Sequence, residues 1–127
     1  MPNMRESCEK MIGEREIEAD FLKWLGGYFD HGGLCVAYQR TQIVRGRTYA
    51  VLDAQIMFTG TKEACAFIKN HYFRWNAKLK QRHGSDSWCV HFRSIPEVLS
   101  LAHELLPYSK FRQDDLKRVI ESIKNFK

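Results

Sequence analysis

The sequence has few of the features that mark a secreted, membrane-bound or metal-clipped chain. Its four cysteines, Cys8, Cys35, Cys65 and Cys89, are scattered, and no two share the short spacing of a zinc knuckle. They read as free thiols, three of them buried. No uninterrupted apolar run approaches the roughly 18 residues of a membrane span, so no membrane partner is expected. Residues 1–13 are polar and charged and lack the apolar stretch of a signal peptide. They are expected to form a loose tail on an intracellular protein, in cytoplasm, nucleus or organelle.

What remains is a chain of 127 residues, enough for one domain with a real core, expected over residues 14–127. A formal net charge of +5 favours a polyanionic partner.

The chain is organised around residues 21–33. Phe21, Trp24, Leu25 and Tyr28, with Ile17, fall at helical spacing and make one apolar stripe of a helix starting near Arg15. Gly26 and Gly27 sit inside that stripe. Each costs about 1 kcal/mol relative to alanine, so close approach of another backbone is the expected reason for them. That backbone belongs either to a second copy or to the chain's own sheet. Asp30, His31, Gly32 and Gly33 then end the helix with residues suited to positive φ.

Two strand-like segments follow. Over residues 34–42, Val36, Tyr38, Arg40 and Gln42 alternate with Cys35, Ala37, Gln39 and Thr41. Arg45, Gly46 and Arg47 make a turn carrying two cations. Over residues 48–58, Ala50, Leu52, Ala54, Ile56 and Phe58 form an apolar face opposite Tyr49, Val51, Asp53, Gln55 and Met57, so the sheet buries one side. Thr61 caps a helix over residues 62–72, buried through Ala64, Cys65, Phe67, Ile68 and Tyr72. A third strand is expected over residues 73–82. Its face carrying Arg74, Asn76, Lys78, Lys80 and Arg82 holds more cations than solubility demands. Residues 83–86 make a hairpin tip, and a fourth strand over residues 88–93 turns Cys89, His91 and Arg93 outward. Ser94 caps the next helix, with Pro96 in its first turn. Pro107 interrupts, and Ser109 begins a last helix to Phe126 in which Phe111, Leu116, Val119, Ile120 and Ile123 face in.

The run Leu25-Gly26-Gly27-Tyr28-Phe29-Asp30-His31-Gly32-Gly33 resembles the nonapeptide that names the LAGLIDADG homing endonucleases. Leu25, Gly27, Asp30 and Gly33 match, Gly26 replaces alanine, and Tyr28 and Phe29 are permitted variants. The eighth position, an acidic metal ligand in the family, is Gly32. The element order α-β-β-α-β-β-α is similar to the family's. So is the segment Leu105-Leu106-Pro107-Tyr108-Ser109-Lys110-Phe111-Arg112-Gln113, in which Arg112 holds the position of a lysine lying beside the scissile phosphates. The nonapeptide is not repeated, so the resemblance is to the single-motif type.

That resemblance implies an α+β fold with a four-stranded antiparallel, saddle-like sheet covered by helices on one face. It implies a two-fold homodimer packed through Leu25, Gly26, Gly27 and Phe29. The saddle would lie over the major groove of double-stranded DNA with a partly palindromic site. Tyr38, Arg40, Gln42, Asp53, Gln55, Asn76, Lys78, Lys80, Arg82, His91 and Arg93 would meet the bases, with Arg and Lys taking guanine, Gln and Asn adenine, and Asp cytosine. Arg45 and Arg47 would meet phosphates. The catalytic positions would be Gly32 and Arg112. Mg²⁺ is the cofactor if the chain cuts, and none is needed otherwise. Gly32 supplies no ligand, which leaves Asp30 and the backbone of His31 as metal contacts. Three readings follow: a DNA-binding protein with cleavage lost or impaired, a working Mg²⁺-dependent endonuclease, and an RNA-binding maturase-like protein.

Overall fold

The structure, a computed structural model, describes residues 4–126, with side chains from Glu18 onward. Cys8, Ile17 and the first residues of the expected tail thus fall outside the described side chains. Helix α1 spans Met4–Gly32, starting before Arg15, because residues 4–12 are mostly good helix formers without a proline. It runs straight into β1 (Gly33–Val44), which pairs with β2 (Arg47–Gly60). Then come α2 (Lys62–His71), β3 (Lys78–Gln81), β4 (Trp88–Phe92), α3 (Ile95–Leu105) and α4 (Gln113–Asn125). The sheet is four-stranded and antiparallel in the order β1-β2-β4-β3. Helices α1 to α4 all pack on one face of it.

The core is where alternation and helical periodicity meet. Ile56, Phe58, Val90 and Phe92 point from the sheet into Leu25, Phe29, Ile68, Val98, Leu101, Leu105 and Leu116, all fully buried. Aromatic rings continue the cluster edge to face, Phe29 on Phe58 at 6.1 Å and Phe58 on Phe92 at 6.1 Å. Deleting a ring such as Phe29 would cost about 3–5 kcal/mol.

Several sequence expectations need correction. The buried stripe of α1 is Phe21, Leu22, Leu25 and Phe29; Trp24 is exposed and Tyr28 half-buried, because the core lies one position round the helix. Phe67 is likewise exposed, although its ring meets Phe21 and Trp24. None of Asp30, His31, Gly32 and Gly33 has positive φ. Gly33 is needed for another reason: a Cβ there would collide with the Phe29 ring. The third strand is shorter than residues 73–82, since Phe73 to Trp75 form the turn leaving α2. Phe111 is 85% exposed, and α4 starts at Gln113 with Arg112 as its cap residue. Ser109 is instead buried and bonded sideways to α1. Ser94 does precede α3, but its side chain makes no capping bond. Thr61 Oγ1 does cap α2, accepting the Ala64 N–H at 3.1 Å.

Cys35 and Cys65 are buried free thiols, and Cys89 is half-buried. Burial, above all, pushes the Cys35 thiol up to about 12.

Candidate nucleic-acid interface

The sheet face away from the helices is the molecule's open polar surface. Its rows are fixed by register. Leu34, Met57, His91 and Lys78 form one row across all four strands, and Thr59, Cys89 and Lys80 the next across three. On the β1–β2 half, Val36 faces Gln55, Tyr38 faces Asp53, Arg40 faces Val51, and Gln42 faces Tyr49. Residues 39–50 are exposed on both sides, Ala50 included, so one-sided burial holds only near the helices. The hairpin therefore projects as an arm beyond the core. Its tip is Arg45 and Gly46, both at positive φ (51° and 76°), the geometry of a two-residue turn matched to strand twist. Arg47 opens β2 beside that tip.

Two side-chain pairs structure this face. The Nε of Arg40 donates to Asp53 Oδ2 diagonally across β1 and β2. The Nε2 of His91 meets Gln55 Oε1 between β4 and β2, and because that oxygen only accepts, His91 is the donor. Burial first, then Arg93, Lys80 and Lys78, lowers the pKa of His91, which keeps the ring neutral near pH 7. Lys78 and Lys80 are exposed on β3, with Asn76 and Arg82 flanking it and Arg93 just past β4. The Asn76 backbone is tied to Glu97 at 2.9 Å.

At the end of α1 the arrangement is tighter. Asp30 accepts the Ser109 hydroxyl on one oxygen and the Lys110 N–H at 2.7 Å on the other. Burial works to raise its pKa, but these bonds, a bond from Phe111 and the nearby Arg112 outweigh it and hold the carboxyl below its ordinary value. Arg112 is engaged as well. It bonds the carbonyls of Gly33 and Phe29, lies 4.5 Å from the centre of the Phe29 ring, and pairs with Asp115 at 3.1 Å. Gly32 and His31 are exposed. A Cβ on Gly32 would meet nothing nearer than the Thr59 carbonyl at 3.9 Å.

These donors do not fit a magnesium ion. Each Asp30 oxygen already accepts a hydrogen bond from the α3–α4 connection, Gly32 has no side chain, and the His31 backbone carbonyl would be one neutral ligand, so this end of α1 offers Mg²⁺ no unengaged carboxylate. Among the described residues no group of three or more His, Cys, Asp or Glu could hold a metal.

Three of the four residues expected at a two-fold interface lie inside the chain. Leu25 and Phe29 are wholly buried in the core, and a Cβ on Gly26 would lie 2.7 Å from the Tyr108 carbonyl oxygen. The close approach at Gly26 is thus made by the chain's own α3–α4 connection and not by the sheet. Gly27 is the exception, exposed with nothing within 4 Å.

The chain superposes on the homing endonuclease I-CvuI with a TM-score of 0.71 at 14% identity, covering 84% of this chain and 68% of that one. It carries the LAGLIDADG fold.

An archaeal intron-encoded homing endonuclease complexed with DNA gives a TM-score of 0.63 at 15% identity, covering 83% of this chain and 68% of that one. The LAGLIDADG homing endonuclease I-LtrWI bound to target DNA gives 0.62 at 17%, covering 84% of this chain but 39% of that one. No family model and no curated protein matches the sequence. No helix among the described residues is long and apolar enough to cross a membrane.

Within the LAGLIDADG fold, sequence reading missed the Ser109–Asp30 bond and, although it named Trp24, Gly27, Tyr28 and His31 singly, their grouping on one face of α1. That face lines a shallow open hollow of about 680 Å³ together with Lys23, Gly32 and Thr59. The signal was present, since residues 24, 27, 28 and 31 recur at helical spacing.

Proposed function

We propose that the chain is a homodimeric, sequence-specific double-stranded DNA-binding protein whose cleavage activity is lost or impaired. The observation that carries this is a contrast between two parts of the fold. The open sheet face keeps Arg40, Lys78 and Lys80, with Arg82 and Arg93 at its margins, whereas the end of α1 has no free carboxylate. The similar solved structures named above are DNA complexes, which supports the first half. Arg45 and Arg47, on the projecting arm, suit phosphates, which position a duplex without reading it. A dimer would present two such faces to two related half-sites of a partly palindromic duplex. The exposed Gly27 and its surrounding hollow are the surface on which a second α1 would pack. The strand saddle suits the B-form major groove better than the deep, narrow groove of A-form RNA, which favours DNA over a maturase role.

Binding-site selection from random duplex DNA tests the reading, followed by a nicking assay on the winner with Mg²⁺ and Mn²⁺. A selected, partly palindromic duplex that stays intact is the expected result. Robust Mg²⁺-dependent cleavage would overturn the loss of activity, and binding indifferent to sequence would overturn the role of the sheet.

A further inference from the structure

Leu34, Val36 and Met57 are apolar side chains on the side of the sheet that no described helix covers. Leu34 pairs directly with Met57 across β1 and β2, and Val36 pairs with Gln55. By strand alternation all three point outward, at the end of the hairpin next to α1. None belongs to the core cluster or packs against it, and Leu34 is 37% exposed. Farther along the hairpin the outward aliphatics stand singly, Val51 opposite Arg40 and Val44 opposite Arg47. The group of three therefore forms one small apolar patch on a face otherwise marked by Arg40, Lys78 and Lys80. Its exposure is relieved when the face closes on a partner that carries apolar groups amid negative charge.

In the major groove the apolar group that distinguishes one base from another is the thymine C5-methyl. We propose that Leu34, Val36 and Met57 form a methyl-reading patch that selects thymine at the positions of each half-site nearest the end of α1. Hydrogen-bonding readers such as Arg40 act farther out along the hairpin. Leu34 and Arg40 are six residues apart on β1, about 20 Å, or about six base pairs where the strand follows the groove. Burying one methyl against such side chains is worth about a 4-fold preference over the same base without it. The patch neither donates nor accepts hydrogen bonds, so 5-methylcytosine, with a methyl at the same ring position, should satisfy it as well. The inference rests on the sheet being the DNA-reading surface of a two-fold protein.

Site selection with the wild type and with Arg40→Ala locates the position that Arg40 reads, and thymine should be enriched nearer the centre of the site. Titrations then use the selected duplex with each inner thymine replaced singly by deoxyuridine, which removes the methyl and keeps the hydrogen-bonding edge. At a contacted position the wild type should bind about 4-fold more weakly. Cytosine there should weaken binding more than 5-methylcytosine does. The ratio of thymine to deoxyuridine affinity isolates the methyl from any general change in affinity. Leu34→Ser, Val36→Thr or Met57→Gln should bring that ratio close to 1 at one position, whereas Leu34→Met, still apolar, should keep it. A selected site without inner thymine would overturn the inference. So would a wild-type ratio near 1 throughout, or a ratio that Leu34→Ser, Val36→Thr and Met57→Gln all leave unchanged. A wild type that selects no sequence at all would instead overturn the reading of the sheet on which this rests.

Discussion

Asp30 and Ser109, 79 positions apart, join the last turn of α1 to the connection between α3 and α4. Ser109 donates its hydroxyl to the carboxylate while its Oγ accepts the Arg112 N–H at 3.2 Å. The carboxylate also accepts the Lys110 N–H, so one acidic side chain fixes the whole segment that presents Arg112.

This latch makes stability depend on acid. The Asp30 pKa is lowered in the folded chain, so its contribution is complete above the ordinary carboxylate range. It is lost as pH falls through the lower folded value. Ser109→Ala should cost about 1–3 kcal/mol at neutral pH, because it strips a buried bond from a charged acceptor. Urea unfolding from pH 7 to pH 3 checks both: the wild type should lose stability on acidification, and Asp30→Ala should lose less.

Gly26 and Gly27 should behave as opposites despite being neighbours. Gly26→Ala forces a Cβ against the Tyr108 backbone and should destabilise the fold or shift that connection. Gly27→Ala meets open space in one chain and should, in a monomer, gain about 1 kcal/mol of helix stability. Gly27→Leu should stay folded yet fail to self-associate. Thermal unfolding and light scattering at about 20 μM distinguish the cases; a monomeric wild type would sink the proposed dimer.

Cations on the arm and on the sheet should separate by salt and sequence dependence. Arg47→Ala should weaken binding to all duplexes alike and lower the salt slope by about one unit. Lys80→Ala should cost about 1–3 kcal/mol on the selected duplex and relax one position per half-site. Titrations of matched and scrambled duplexes at several salt concentrations provide the measurement.

Gly32→Asp should restore some metal-dependent cutting of the selected duplex. Glycine there is helical, without positive φ, and a Cβ meets only the Thr59 carbonyl at ordinary contact distance, so aspartate carries no backbone strain. Melting temperature should therefore change little. Nicking by Gly32→Asp with Mg²⁺ or Mn²⁺, and none by the parent, is the expected pattern. A folded, DNA-bound variant that never cuts would refute the idea that this one carboxylate silences the chain.

Much of the fold was legible because its signals are periodic. Ala54, Ile56 and Phe58 alternate, Val98, Leu101, Ala102 and Leu105 recur at helical spacing, and both patterns end up in the core. The outward positions of Arg40, Lys80 and His91 followed from the same alternation. Illegible were contacts between distant segments. Nothing local says that Phe111 stays in solvent while Ser109 is buried. The choice was made by Asp30, on another element.

The sequence by itself determined the order of elements, the one-sided burial near the helices and the absence of a side chain at Gly32, all properties of residue type and spacing. Only the tertiary structure decided which face of α1 is inside, what Gly26 accommodates, and that Asp30, Arg112, Asp53 and His91 spend their hydrogen bonds on the protein itself. The physical reason is that a polar side chain's role depends on which partners come within about 3 Å of it. Those partners are set by how separate elements pack, which no local pattern encodes.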